Sequence, residues 1–234
     1  MFDTETLAGR LHSMQSKIAD AASAAGRSVD DITLIVVTKF HPEQLVRDLY
    51  DLGVRNVGEN RHQEASAKAA ACADLDLTWH FIGQLQSNKA RAALDYADVI
   101  HSVDRPSLVT ALDKAWRDKA DAGTTRVPID CFIQLNLTDD PGRGGVEPKN
   151  LEPFAHSLLL SEAFSLKGVM AVAPLDEDPG RAFERVQEAS ALVQRLEPSA
   201  VFISAGMTQD YVQAINAGAT HLRIGTAITG NRPV

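Results

Sequence analysis

Three features of the sequence predict an α/β protein closing into a single (β/α)8 TIM barrel over residues 1–234. Short β-rich apolar runs alternate with longer stretches of helical period, and eight such runs can be counted. They recur at a spacing of about 27 residues, roughly what a strand, a helix and two short loops require. The alternative is an open doubly wound sheet, but no G-x-G-x-x-G follows the first run.

The first 25 residues, ending "ADAASAAG", read as an extra helix ahead of the first strand. Little chain follows the last strand, so this leading helix is expected to cover the gap an eighth helix would leave. Strands are expected at Thr33–Thr38, Val54–Gly58, Trp79–Ile82, Val99–Ser102, Ile129–Leu135, Leu166–Ala171, Val201–Ser204 and His221–Ile224. The first is apolar on both faces, as a strand covered on each side should be. Between strands the period turns helical. "PEQLVRDLYDLG" places Leu45, Leu49 and Leu52 on one face and stops at Gly53. "DPGRAFERVQEASALVQRL" lines up Phe183, Val186, Ala189 and Val193. "TQDYVQAINAGA" opens with Thr208 as an expected N-cap and closes at Gly218. "TDDPGRGGVEP", from Thr138 to Pro148, reads as a loop after strand five.

Composition narrows the functions open to such a barrel. The chain of 234 residues is 44% hydrophobic and 23% charged, in the range of soluble globular proteins. Acidic residues outnumber basic ones, 31 to 23, for a formal charge of -8. Neither a nucleic-acid footprint nor a membrane-surface patch is expected, because both need clustered positive charge. No apolar run approaches membrane-spanning length. No secretory signal is visible, so a cytoplasmic location is expected. Cys72 and Cys131 have neither metal-site spacing nor the numbers for a disulfide framework, and read as reduced thiols.

Active groups of such barrels sit at the carboxyl ends of the strands. Strand one ends at Lys39, either a solvated terminus or an amine held at the barrel mouth for Schiff-base chemistry. His41, Arg61, His80 and Arg223 are the cations available beside it. Strands seven and eight lead into "SAGMTQD" and "RIGTAITG", paired small-residue turns of the kind that bind phosphate in barrels, or simply tight turns and caps. Arg223 alternates with Leu222 and Ile224. If it faces the interior it needs an acceptor, either a ligand atom or a carboxylate such as Glu59. "WHFIGQLQSNK" carries His80, Gln86, Asn88 and Lys89, which either line a site or cap the next helix. No Ser–His–Asp order, H-E-x-x-H or Cys/His cluster supports acyl transfer or a metal.

The segments "VVTKF", "GEN..QE", "WHFIGQLQSNK", "GVM" and "SAGMTQDYVQAINAGATHLRIGTAITG" together resemble the pyridoxal-phosphate homeostasis proteins, from about Ile32 to Gly230. That family resembles the barrel domain of alanine racemase without its second domain. The resemblance implies pyridoxal 5′-phosphate (PLP) held on Lys39 as an internal aldimine, with Arg223 facing the pyridine nitrogen. It further implies that Ser204, Met207, Thr208, Gly225 and Thr226 hold the phosphate, and that Asn60 and His80 line the cofactor pocket. The implied role is binding PLP and handing it on to PLP-dependent apo-enzymes, without an established catalytic activity. The alternative is a weak amino-acid racemase or Schiff-base lyase. An arginine at the pyridine nitrogen disfavours its protonation and blunts the ring as an electron sink. Racemisation also needs a second acid/base, which alanine racemases take from a further domain and partner subunit; with no second domain expected to force dimerisation, a monomer is expected here. The sequence departs from the family at Arg143, where the loop after strand five often carries lysine, at Arg61-His62, and at Thr229.

Overall fold

The computed structural model describes residues 5–123, 127–138 and 140–231; the outermost residues of the expected 1–234 domain lie outside them. Eight parallel strands form one closed barrel in sequence order. They are β1 (Thr33–Val37), β2 (Asn56–Glu59), β3 (Thr78–Phe81), β4 (Val99–Val103), β5 (Ile129–Gln134), β6 (Phe164–Met170), β7 (Phe202–Ser204) and β8 (His221–Ile224). Closure comes from β1 pairing β8, with Thr33 opposite His221 and Val36 opposite Ile224. Each expected strand is present; β2 starts two residues late and runs on to Glu59, which places that carboxylate inside the barrel wall.

Around the barrel run helices α1 (Leu7–Ala24), α2 (Glu43–Asp51), α3 (His62–Ala71), α4 (Ala90–Ala93), α5 (Pro106–Asp121), α6 (Leu151–Leu159), α7 (Pro179–Leu196), α8 (Tyr211–Asn216) and α9 (Thr226–Thr229). α1 is the expected leading helix. Thr6 caps it by accepting from Gly9 N, and Leu11, Met14 and Ile18 form its buried stripe. It covers the β8 end of the barrel: Arg10 Nε donates to Ile228 O at 2.8 Å, and Arg27 Nη1 donates to Ile215 O and Ala219 O at 2.9 and 2.7 Å. These bonds satisfy carbonyls at or just past the ends of α8 and α9, Ile215 O being shared with Gly218 N.

Two details depart from the expected helix pattern. α2 buries Val46 and Leu49, whereas Leu45 and Leu52 are only partly covered, so its core stripe is rotated toward Val46. α8 starts at Tyr211, and Thr208 does not cap it. Asp210 instead folds back to accept Met207 N at 2.6 Å, which leaves Thr208 in the turn facing the barrel mouth. The glycine of "GVM" also has a steric reason. At Gly168 (φ +152°) a Cβ would lie 1.8 Å from Phe202 O, so only glycine lets β6 approach β7 this closely. Among the described residues no helix is long and apolar enough to cross a membrane.

Candidate functional site

At the carboxyl ends of β1, β6, β7 and β8 lies a cavity of about 770 Å³. Its walls include Lys39, Asn60, Met207, Thr208, Arg223, Gly225 and Thr226, seven of the nine residues the sequence put at the site. Their convergence follows from the parallel topology, which brings every strand's carboxyl end to one face.

Lys39 lies two residues beyond the end of β1, half-buried, and its neighbours on either side are tied to α3. On one side Thr38 O accepts from Lys68 Nζ at 2.8 Å, and Thr38 Oγ1 donates to Glu59 Oε1 at 2.7 Å. On the other side Phe40 N donates to Glu64 Oε2 at 2.9 Å. Among the described residues Phe40 is the one non-glycine with positive φ, 68°. The left-handed conformation is costly for an aromatic residue, so the bond from Phe40 N to Glu64 helps to hold the chain there. Lys68 and Glu59 are both buried and form an ion pair at 2.6 Å. Desolvation nonetheless raises the Glu59 carboxyl above its ordinary range. Glu64 and Lys68 were not among the residues expected at the site, although they stand four apart on a helix, a spacing that signals a pair. Their effect is to consume the local carboxylates: among the described residues Lys39 enters no ion pair.

The opposite wall is built around Arg223, only 4% exposed. Its Nη1 donates to Ser204 Oγ at 2.6 Å and its Nη2 to Ala171 O at 2.8 Å. Burial lowers the Arg223 pKa to about 10, so the group stays cationic at neutral pH. Glu59, considered as its acceptor, is instead bound to Lys68 and Thr38. The turn after β7 passes through Gly206 at φ +95°, where a Cβ would come within 2.7 Å of Ala214 Cβ and 2.9 Å of Leu222 Cδ2. Glycine is required there. Gly225, by contrast, has negative φ and only ordinary contacts.

Two expected site residues lie elsewhere. Ser204 is fully buried, and its hydroxyl meets Arg223 and His101 rather than the cavity. His80 points into the barrel interior below the cavity, bonded to His101 and Asn56 at 2.9 Å each. Burial lowers its pKa to about 3, so it cannot be the cation proposed beside Lys39. The sequence missed His101, which lies beneath the site; a histidine inside a strand carries no signal of what it will meet across a barrel. Arg143, a departure from the family pattern in the sequence reading, donates from Nη2 to Ala173 O at 3.2 Å and ties the loop after β5 to the loop after β6.

The donor set suits a phosphorylated aldehyde with a ring acceptor. It offers one amine without a counter-ion, one buried guanidinium that can only donate, and two short turns with the hydroxyls of Thr208 and Thr226. Asn60 Oδ1, at the cavity wall, is buried with no partner in the protein, a polar atom left over for a ligand. Among the described residues no group of His, Cys, Asp and Glu could hold a metal.

This fold and this strand-end site define a class of protein, and residues 11–233 match the family described as "Alanine racemase, N-terminal domain". Solved alanine racemases share the fold: that of Streptomyces coelicolor is 16% identical with a TM-score of 0.74, covering 98% of this chain and 59% of that one. Much greater likeness appears within one branch. The pyridoxal phosphate homeostasis protein of Mycobacterium tuberculosis is 40% identical, over 95% of this chain and 91% of its own. That of Escherichia coli is 34% identical over 97% of each. PipY of Synechococcus elongatus, solved with PLP bound, is 34% identical with a TM-score of 0.81, covering 96% of this chain and all of PipY. The chain belongs to the pyridoxal phosphate homeostasis protein family, within the alanine racemase N-terminal-domain barrels.

Proposed function

We propose that this protein binds PLP in the strand-end cavity and serves intracellular PLP homeostasis, as a cytoplasmic monomer that holds the cofactor and hands it on to PLP-dependent apo-enzymes. Lys39 is the point of covalent attachment and Arg223 the donor to the pyridine nitrogen. Met207, Thr208, Gly225 and Thr226 surround the phosphate, with Asn60 at the pocket wall. The observation that carries this reading is the pairing of cations across one cavity: Lys39 without an ion pair and Arg223 held by neutral acceptors. PLP supplies an aldehyde that condenses with amines. The protein's part is to present one amine, to neutralise the phosphate and to keep the ring nitrogen unprotonated, because Arg223 only donates and cannot accept a hydrogen bond from a protonated ring nitrogen.

The same geometry argues for a carrier rather than an enzyme. The titratable groups on the cavity wall are Lys39, Glu177, Asp210 and Arg223. Glu177 is paired with Arg185, and Asp210 accepts from Met207 N. Lys39 is thus the one amine in place to move a proton, whereas racemisation needs groups on both faces of a carbon.

Borohydride reduction of the PLP-loaded protein, followed by peptide mapping, tests the assignment. We expect the reduced cofactor's mass on the peptide containing Lys39, and Lys39→Ala to lose both the label and the yellow absorbance. Label on another lysine, or an unchanged Lys39→Ala spectrum, refutes it. Incubation with D- and L-amino acids tests the carrier reading: turnover above about 1 s⁻¹, in the ordinary enzyme range, assigns an enzyme instead.

A further inference from the structure

We infer that Ser204, His101 and His80 form a one-way hydrogen-bond chain ending on Asn56, and that this chain positions the Arg223 guanidinium at the cavity. Its role for the cofactor rests on the reading of Arg223 given above; its direction does not.

The direction follows from counting protons. Arg223 Nη1 lies 2.6 Å from Ser204 Oγ, and a guanidinium only donates. Ser204 is therefore the acceptor in that bond, and its own proton is free for His101 Nδ1, 2.9 Å away. A neutral imidazole that accepts at one nitrogen carries its proton on the other. His101 must then be the Nε2–H tautomer, and it donates to His80 Nδ1 at 2.9 Å. The same logic makes His80 the Nε2–H tautomer, donating to Asn56 Oδ1 at 2.9 Å. Every donor and acceptor in the sequence is used. The reversed order fails twice. It would leave the Ser204 proton without an acceptor in a fully buried position, and it would need Asn56 to present its amide nitrogen to His80.

The surroundings keep both rings neutral, as the chain requires. His101 is fully buried and stacks on Phe132 at 4.4 Å between ring centroids. The titratable or charged groups facing the two rings are each other, Arg223 and His221, whose ring centroid lies 6.4 Å from His80 and 6.3 Å from His101. Burial and these neighbours all disfavour a proton on either ring. Bonds that run in one direction polarise one another, so a serine hydroxyl donating to His101 becomes the better acceptor for Arg223. Together with the bond to Ala171 O at 2.8 Å, this fixes two guanidinium nitrogens and leaves the remaining N–H groups of Arg223 to the cavity it lines. His101 and His80 are positioning residues: they touch no ligand and act through Ser204.

Nitrogen-15 NMR of the imidazoles in the cofactor-free protein tests the direction. Both rings are expected as neutral Nε2–H tautomers at pH 7; an Nδ1–H signal from either overturns the chain. Asn56→Asp sharpens the test, since a carboxylate only accepts. The one-way chain keeps both tautomers in that variant, whereas a reversed chain would lose them. Ser204→Ala should release the His101 tautomer preference and speed water exchange of the Arg223 side-chain N–H protons by roughly tenfold, the scale of one hydrogen bond. Unmoved His101 and Arg223 signals in Ser204→Ala, or PLP affinity in that variant equal to wild type, overturns the positioning role. Should Ser204→Ala not fold, Asn56→Ala, at the half-buried far end, carries the same readouts. If the wild-type protein binds no PLP at all, the proposed function falls, and the tautomer measurement still decides the chain.

Discussion

On the β1–β2 side of the cavity the cation is Lys39, and the buried charges behind it, Glu59 and Lys68, neutralise each other. On the β6–β8 side the cation is Arg223, and behind it stand only a carbonyl, a hydroxyl and two neutral imidazoles. The first wall is held by a bonded ion pair, the second by neutral hydrogen-bond acceptors, with the Asp210 carboxylate acting on Arg223 only through space. Both arrangements leave a positive group facing the cavity with no carboxylate bonded to it. A buried cation held by neutral acceptors is tolerated only when its donors are satisfied, and an anionic ligand repays that cost when bound. The two supports should also respond differently to acid and to mutation, which allows the comparison to be broken.

The largest effect is expected from pH. His80 and His101 are buried and His221 is half-buried, and their pKa values are lowered, to about 3 for His80 and about 4 for His221. Unfolded histidines titrate near 6.5. The folded state binds fewer protons, so the stabilisation is fully present above pH 6.5 and is lost as pH falls toward the folded values. The loss is about 1.4 kcal/mol per pH unit for each ring while it stays neutral in the fold. Urea unfolding at pH 7.5 and pH 5 measures it, and a flat profile would show that the neutral network is not what supports the second wall. Glu59, whose carboxyl is raised, contributes with the opposite sign at lower pH; repeating the titration in Glu59→Gln separates the two walls.

Next in size is Lys68→Met. Removing one partner of a buried ion pair strands the other, and should cost about 3–5 kcal/mol in chemical denaturation. The double variant Lys68→Met/Glu59→Gln should recover most of that, because no charge is then left buried. A single variant as stable as wild type would mean that the first wall is not held by ions.

The smallest effect is expected from Phe40→Gly. Glycine relieves the left-handed strain, worth about 1 kcal/mol or more, and gives up the ring that lies 5.0 Å from the Arg61 guanidinium. Thermal unfolding should shift by only a few degrees, while PLP should bind more weakly because the backbone beside Lys39 is freed. Unchanged PLP affinity would separate the Phe40 turn from the attachment point.

The barrel was legible in the alternation of eight apolar runs with helical segments, because burial on both faces of a parallel strand leaves a mark in every residue of it. Lys39 and the Met207–Thr208 and Gly225–Thr226 turns were legible because strand ends map directly onto one face of a closed barrel. Ser204, His80 and Thr208 show where that reading stopped. A residue number gives neither the depth of a side chain in the barrel nor its neighbour three strands away. Ser204 and His80 are buried and bonded to other side chains rather than lining the cavity wall, and Asp210 rather than Thr208 accepts at the start of α8.

By itself, the order of residues determined the period, and the period the architecture, since each strand and helix records its own burial along the chain. Only the closed tertiary structure decided which polar groups satisfy one another. His101 and Ser204 stand 103 positions apart, Arg223 and Ala171 52 apart, and hydrogen bonds of that range depend on closure bringing β4, β6, β7 and β8 around one axis.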